Sequence, residues 1–236
     1  MSGLRSWMRR RRFSTLLSRL VRLSDRRDSI DRKLVEMDDI VMVEAARHLI
    51  DNSPHYKECS RLIKRLWGRH GGAIARILRE GDERDRRCAV RAIGLIRHRH
   101  PGLLQALQDD SAEVRHEAIR ALRFVRDRTA VEPLTALTAG LNPKVRLEAI
   151  RALGHQRRIE ATPTLMPLLD SDDSSTRCEA ARALGMIGDE TALPALRERL
   201  QSPDRKLRDA VKSALASYDC RRRDRTASRP ADARLP

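Results

Sequence analysis

The sequence predicts an all-α protein built as a solenoid of antiparallel helix pairs, and three recurrences carry that expectation. Helix-start residues recur at Asp82, Ser111, Asn142, Asp173 and Asp204, with spacings of 29, 31, 31 and 31 residues. Each is followed four positions later by an arginine, namely Arg86, Arg115, Arg146, Arg177 and Arg208. A leucine series, Leu103, Leu134, Leu165 and Leu196, keeps the same interval of 31. Self-similarity at roughly 20–50 residues marks stacked units, none of which buries its apolar face alone.

Residues 1–24 contain seven arginines and no acid. Trp7 and the block Arg9, Arg10, Arg11 and Arg12 precede Phe13, Leu16, Leu17 and Leu20, which share one helical face opposite Thr15, Ser18, Arg19 and Arg22. Such a basic amphipathic segment suits three roles: capping the array or docking a partner, peripheral contact with an anionic membrane surface, or organellar targeting. Arg19 and Arg22 interrupt the apolar run and argue against a secretory signal.

Residues 25–80 read as an atypical helical capping region. Asp38, Val41, Glu44, Ala45, Ala46 and Leu49 have the pattern of a cap and helix, and Ile74 and Leu78 align with Leu103 and Leu107. The stretch 51–70 breaks the period, as terminal units of an array commonly do.

Residues 81–219 hold the repeats. Asp, Ser and Asn side chains accept hydrogen bonds from helix-terminal N–H groups, so the five start residues read as N-caps. Pro143 follows Asn142, where a missing N–H costs nothing. Behind the caps, Val114, Ala118, Ala121, Leu122 and Val125 form an apolar stripe at three- and four-residue steps, and Val145, Ala149, Ala152 and Leu153 repeat it. The partner helices carry Ala130, Ala161 and Ala192, with Pro133, Pro163 and Pro194 near their starts. Glycine follows the Ala-Leu pair only at Gly154 and Gly185, and Gly81 does not extend them into a series. Residues 220–236 are rich in Arg, Pro, Ala and Asp and read as a disordered basic tail.

The runs Asp85-Arg86-Arg87-Cys88-Ala89-Val90-Arg91-Ala92-Ile93-Gly94, Ser111 to Leu122, its copy from Asn142, and Arg177 to Asp189 resemble the short HEAT-like repeats of the phycobilisome-lyase type. The resemblance implies a right-handed, HEAT/armadillo-like superhelix of α-hairpins with the capped helices on its concave face. It covers residues 82–217 well and 38–81 weakly. Members of that type serve as adaptors, as chaperone-like lyase subunits and, in one group, as metalloenzymes.

The formal charge of +16 is concentrated at the ends: residues 1–24 contribute +7 and 221–236 contribute +4, leaving +5 for 25–220. The array itself is therefore only mildly basic. Aromatics make up 3 % of the chain, which leaves few platforms for stacking bases. Cys59, Cys88, Cys178 and Cys220 are scattered, fitting a reduced, cytoplasmic compartment, and no apolar run of about 18 residues exists to span a bilayer.

The first arginine series, Arg86 to Arg208, reads as a set of ties between neighbouring units through caps and carboxylates rather than as an anion ladder. A second series, Arg91, Arg120, Arg151 and Arg182, reads as solvent-facing. Glu117, Glu148 and Glu179 precede three of its members by three residues, which makes them intrahelical ion-pair neighbours. That mixed-charge face, together with His116, is the candidate partner-binding surface.

His116-Glu117 resembles one of the His-Glu pairs of deoxyhypusine hydroxylase, a HEAT-like diiron enzyme. The equivalent positions here are Arg87-Cys88, Leu147-Glu148, Cys178-Glu179 and Asp209-Ala210, so the other histidines are missing. His48, His55, Cys59, His98 and His100 show no zinc spacing, and the last two are expected in a solvated connection. No phosphate loop or nucleophile elbow is present, and Asp170, Asp172 and Asp173 read as a polar turn ending in an N-cap.

The functional expectation is a non-enzymatic scaffold that binds a protein partner through its capped helices, with no cofactor and no metal. The alternatives are a nucleic-acid binder using the basic ends, and a lyase or metalloenzyme subunit by analogy of fold.

Overall fold

A computed structural model describes residues 15, 40–49, 56–140 and 142–227. Trp7, the arginine block, Phe13, Leu16, Leu17 and Leu20 lie outside the described residues. The described chain forms α1 (Ile40–Arg47), α2 (Tyr56–Glu80), α3 (Glu83–Ile96), α4 (Gly102–Ala106), α5 (Ala112–Leu122), α6 (Val131–Thr138), α7 (Pro143–Gln156), α8 (Thr162–Leu165), α9 (Ser174–Ile187), α10 (Leu193–Glu198) and α11 (Arg205–Ala227), with short 3-10 turns between them and no strand among the described residues. They fall into two compact units, Met1–Val125 and Arg126–Pro236, where the sequence suggests one uninterrupted array.

In the first unit α3 packs against α1, α2 and α5, while α4 lies against α3 and α5. The break in periodicity has a simple origin: α2 is 25 residues long, so most of the stretch from 56 to 70 is an N-terminal extension of the partner helix rather than an insertion. Its buried residues, Cys59, Leu62, Ile63, Leu66, Ala73, Ile74 and Ile77, recur at three- and four-residue steps and keep one face of the extension in the core.

In the second unit α7 packs against α6 and α9, and α9 against α11. The leucine and alanine series are the centre of the core: Leu134, Leu165 and Leu196 are at most 2 % exposed, and Ala130, Ala161 and Ala192 are fully buried. Each alanine ends a one-turn 3-10 segment that enters the partner helix. Asp127 and Asp189 open two of these turns by accepting from the N–H groups of Thr129 and Thr191, both at 3.1 Å.

The C-terminal helix corrects the expected boundary at 220, since α11 continues to Ala227. No proline or glycine interrupts the chain between Arg205 and Pro230, and arginine, which stands at 221 to 223, has good helix propensity. Residues 228–236 lie outside the described residues.

All five start residues are N-caps. Asp82 accepts from the Asp85 N–H at 2.8 Å, Ser111 from Val114, Asn142 from Lys144 and Val145, Asp173 from Ser175 and Thr176, and Asp204 from Lys206 and Leu207. Gly94, Gly154 and Gly185 do form a series at equivalent positions. A Cβ placed on them would stand 2.8 Å from Ala121 Cβ, 2.8 Å from Ala183 Cα and 2.5 Å from Ala214 Cα. The next capped helix is thus received at close range on bare backbone.

Candidate functional site

The two arginine series have different tasks, set by their distance from the cap. Four residues past an N-cap the side chain can fold back over the connection that precedes the helix. Arg115 donates to the carbonyls of Asp109 and Asp110, Arg177 to those of Ser171 and Asp172, and Arg208 to those of Ser202 and Pro203, at 2.6 to 3.0 Å. Arg146 donates to Gly140 and Arg86 to Gly81. These guanidinium groups satisfy carbonyls left at the ends of the partner helices.

Two of them also reach forward to the next cap region. Arg86 grips both oxygens of Asp109 at 2.8 and 2.9 Å, and Arg177 donates to Asp204 at 2.7 Å. The Arg86 guanidinium, followed by the Ser111 N–H, holds the Asp109 carboxyl below the ordinary carboxylate range. Ser174 and Arg177 lower that of Asp204.

The second series, Arg91, Arg120, Arg151 and Arg182, stands five residues further along the same helices. Arg151 pairs with Glu148 at 2.8 Å and Arg182 with Glu179 at 2.8 Å, the intrahelical contacts that the spacing predicts. The remaining contacts run between helices. Arg91 on α3 binds both oxygens of Glu117 on α5 at 2.8 and 2.9 Å, and Arg151 on α7 donates to Glu179 on α9 at 3.0 Å. Glu117 is therefore committed to the preceding helix, and Arg120 is exposed and pairs with no acid among the described residues.

Arg91 and Arg120 meet in an open cleft of about 710 Å³ within the first unit. Its floor is the Arg91–Glu117 pair beside the close contact of Gly94 with Ala121. Arg91 also donates to the Leu49 carbonyl at 2.9 Å, which uses its whole fork inside the protein. The walls carry Tyr56, 41 % exposed, and Phe124, 53 % exposed, which with Ile159 are the large apolar side chains most open to water among the described residues. Sequence reasoning missed both aromatics, because neither belongs to a repeat series.

Arg97 completes the cleft. It adopts left-handed backbone geometry with φ of 55°, and its guanidinium lies over the Phe124 ring at 6.0 Å from the centroid. Arg157 takes the same φ at the corresponding end of α7, and Gly188 serves that role after α9. Such helix ends favour glycine, so the two arginines carry backbone strain.

Arg151 and Arg182 line a second, smaller cleft of about 400 Å³ in the other unit, together with Cys178, Glu179, Lys206 and Asp209. His116 is half-buried on α5 and lines neither cleft. The connection from α3 to α4 departs from the expectation of solvated loop residues: His100 is half-buried, its Nδ1 accepts from the Gly102 N–H at 3.0 Å, and the rings of His98 and His100 each stand 6.2 Å from that of Trp67. Burial followed by the charge of His98 pushes the imidazole of His100 down from its ordinary value.

No group of three or more His, Cys, Asp and Glu among the described residues is placed to hold a metal ion. Cys59, Cys88 and Cys178 are buried as free thiols, and burial pushes Cys59 up to about 12. No helix of the described residues is long and apolar enough to cross a membrane.

The sequence matches a family described as HEAT repeats over residues 72–140 and 136–216. No curated protein shows a significant match. Among solved structures, a designed armadillo repeat protein in complex with the peptide (KR)4 is 20 % identical, with a TM-score of 0.54 and coverage of 75 % of this chain and 98 % of that one. YibA of Escherichia coli is 20 % identical, with a TM-score of 0.52 and coverage of 87 % and 82 %. The complex of CpcE and CpcF of phycocyanin lyase from Nostoc sp. PCC7120 is 23 % identical, with a TM-score of 0.48 and coverage of 75 % and 76 %. At these identities the likeness is one of fold.

Proposed function

The chain belongs to the HEAT-repeat family, and from that premise we propose that it is a non-enzymatic scaffold that holds a protein partner against the surfaces carrying Arg91 and Arg120 in the first unit and Arg151 and Arg182 in the second. The observation that supports this most strongly is the division of labour between the arginine series. The first is consumed in holding the repeats together. Three members of the second, Arg91, Arg151 and Arg182, are fixed by Glu117, Glu148 and Glu179, and with Arg120 they line two open clefts. A surface whose ionic groups are held by neighbours before a ligand arrives loses little side-chain freedom on binding, which favours affinity and register.

Paired acids also weigh against a polyanion groove. Glu117, Glu148 and Glu179 cancel part of the positive field along these helices, whereas phosphate recognition gains from uncompensated cations. The (KR)4 peptide of the designed armadillo neighbour is strongly basic; the surplus charge around the larger cleft here is positive, so the ligand chemistry does not transfer with the fold.

The test is affinity capture of the full chain from native lysate, with nuclease, at low and high salt, beside the double variant Arg120→Glu/Arg182→Glu. A stoichiometric protein retained by the wild type and lost from the variant supports the reading. Capture that nuclease abolishes transfers the chain to the nucleic-acid binders.

A further inference from the structure

The cleft of the first unit combines features that the rest of the described surface does not bring together: two exposed aromatic side chains, a floor of one ion pair beside Gly94 and Ala121, and a rim of cations with no acid partner among the described residues. Among the described residues four cations and a single acid line it, and the acid, Glu117, is spent on Arg91. Lys64, Arg97 and Arg120 are exposed on the rim. Beside the Arg91–Glu117 pair the floor carries only Gly94 and Ala121, with no side chain larger than a methyl group, which leaves the exposed Tyr56 and Phe124 as the large apolar surface open to an incoming side chain.

From these observations we propose that the cleft is the docking site of an acidic linear segment of a protein partner, with one aromatic or large aliphatic residue anchored between Tyr56 and Phe124 and flanking carboxylates on Lys64, Arg97 and Arg120. The proposal rests on the scaffold reading and gives its partner a chemistry. Anchors of this kind concentrate binding energy in a desolvated pocket while the charged rim sets register and on-rate. Arg97 serves both parts: one face of its guanidinium covers Phe124 and its edge remains available for a carboxylate.

Charge decides among occupants. Residues 1–24 carry seven arginines and no acid, and residues 228–236 carry two arginines and one aspartate, so these segments are repelled by the rim. Residues 25–39 carry six acids and four basic residues, so a peptide of that sequence joins the peptide array and should bind more weakly than the acidic anchored peptides. A nucleic-acid strand needs cations repeated along its backbone and open faces for stacking. Here Arg97 covers one face of Phe124, and Glu117 adds a negative charge to the floor, which disfavours a phosphate backbone.

The experiment is fluorescence anisotropy with the full chain and an array of labelled peptides in which Asp and Glu flank one Phe, Trp, Leu or Met. Control peptides replace the anchor by Ser or the acids by Lys, and labelled oligo-dT serves as a second probe. Acidic anchored peptides should bind, both kinds of control peptide should fail, and Arg120→Glu and Phe124→Ser should each weaken binding about tenfold or more. Arg182→Glu, in the other unit, should leave peptide binding unchanged, and melting curves verify that each variant is folded.

An array without an acidic anchored binder overturns the proposal. Binding insensitive to both cleft variants does the same, as does oligo-dT that binds in the cleft and displaces every peptide. The scaffold reading is tested separately: a stoichiometric protein partner kept by the Arg120→Glu and Phe124→Ser chains but lost with Arg182→Glu removes this inference and leaves that reading standing.

Discussion

Gly185 faces Ala214 so closely that a Cβ built on the glycine would lie 2.5 Å from the alanine Cα. Helix propensity alone favours replacing a mid-helix glycine by alanine, by about 1 kcal/mol. Here the added methyl meets backbone that cannot rotate away, and overpacking of that kind costs about 1–3 kcal/mol. Gly185→Ala is therefore expected to lower stability, as are Gly94→Ala and Gly154→Ala at the equivalent contacts. Gly68→Ala in α2, where no atom lies within 4 Å of the new Cβ, should raise it. Denaturant melts of the four variants give the signs, and a stabilised Gly185→Ala would refute the close-contact account.

Acid should loosen the ties between repeats. Asp109 titrates below its ordinary value because Arg86 and the Ser111 N–H bind its charged form, and Asp204 does so through Ser174 and Arg177. A carboxyl with a depressed folded value contributes stability above its unfolded value, about 3.9, and loses that contribution as pH falls through the folded value. Unfolding free energy should therefore decline steeply below about pH 4. Asp109→Asn should lower stability at neutral pH and flatten this decline, and a variant with an unchanged acid limb would place the acid sensitivity elsewhere.

The features visible in the sequence were those whose cause is local. An N-cap needs only its own side chain and the next three residues, so Asp82 to Asp204 are legible from composition and spacing. The return of Arg115, Arg177 and Arg208 onto carbonyls five and six residues back is local too. The partner of Glu117 was not legible. Arg120 stands three residues away in the chain, yet Arg91 on the neighbouring helix takes the carboxylate, and the choice depends on how near the close Gly94–Ala121 contact brings the two helices. Tyr56 and Phe124 lie 68 positions apart and outside the period, so only the folded chain brings them to one cleft.

The α3–α4 connection should respond to mild acid. His100 accepts from the Gly102 N–H through Nδ1, which requires the neutral ring, and its titration lies below the ordinary value. A histidine lowered in this way contributes stability above its unfolded value of about 6.5, and the contribution disappears as pH falls through the folded value. In a Trp7→Phe background, Trp67 fluorescence should report the change, since both histidine rings stand 6.2 Å from the indole. His100→Asn keeps an acceptor near Nδ1 and removes the proton site. It should abolish the pH dependence below about 6.5, and an unchanged fluorescence response in this variant would refute the assignment to His100.

The two left-handed arginines should separate strain from function. At Arg157, exposed and at φ of 54°, glycine relieves a cost of about 1–2 kcal/mol while giving back about 0.5–1 kcal/mol of chain entropy. Arg157→Gly should therefore stabilise the protein by about 0.5–1 kcal/mol, a rise in melting temperature of roughly 1–4 °C. Arg97→Gly relieves the same backbone but uncovers Phe124 and strips one cation from the cleft rim. Its gain in stability should be smaller, and affinity for an acidic anchored peptide should drop with it. Equal stabilisation by the two substitutions, with peptide affinity unchanged in both, would mean that the Arg97 side chain contributes neither to packing nor to the cleft.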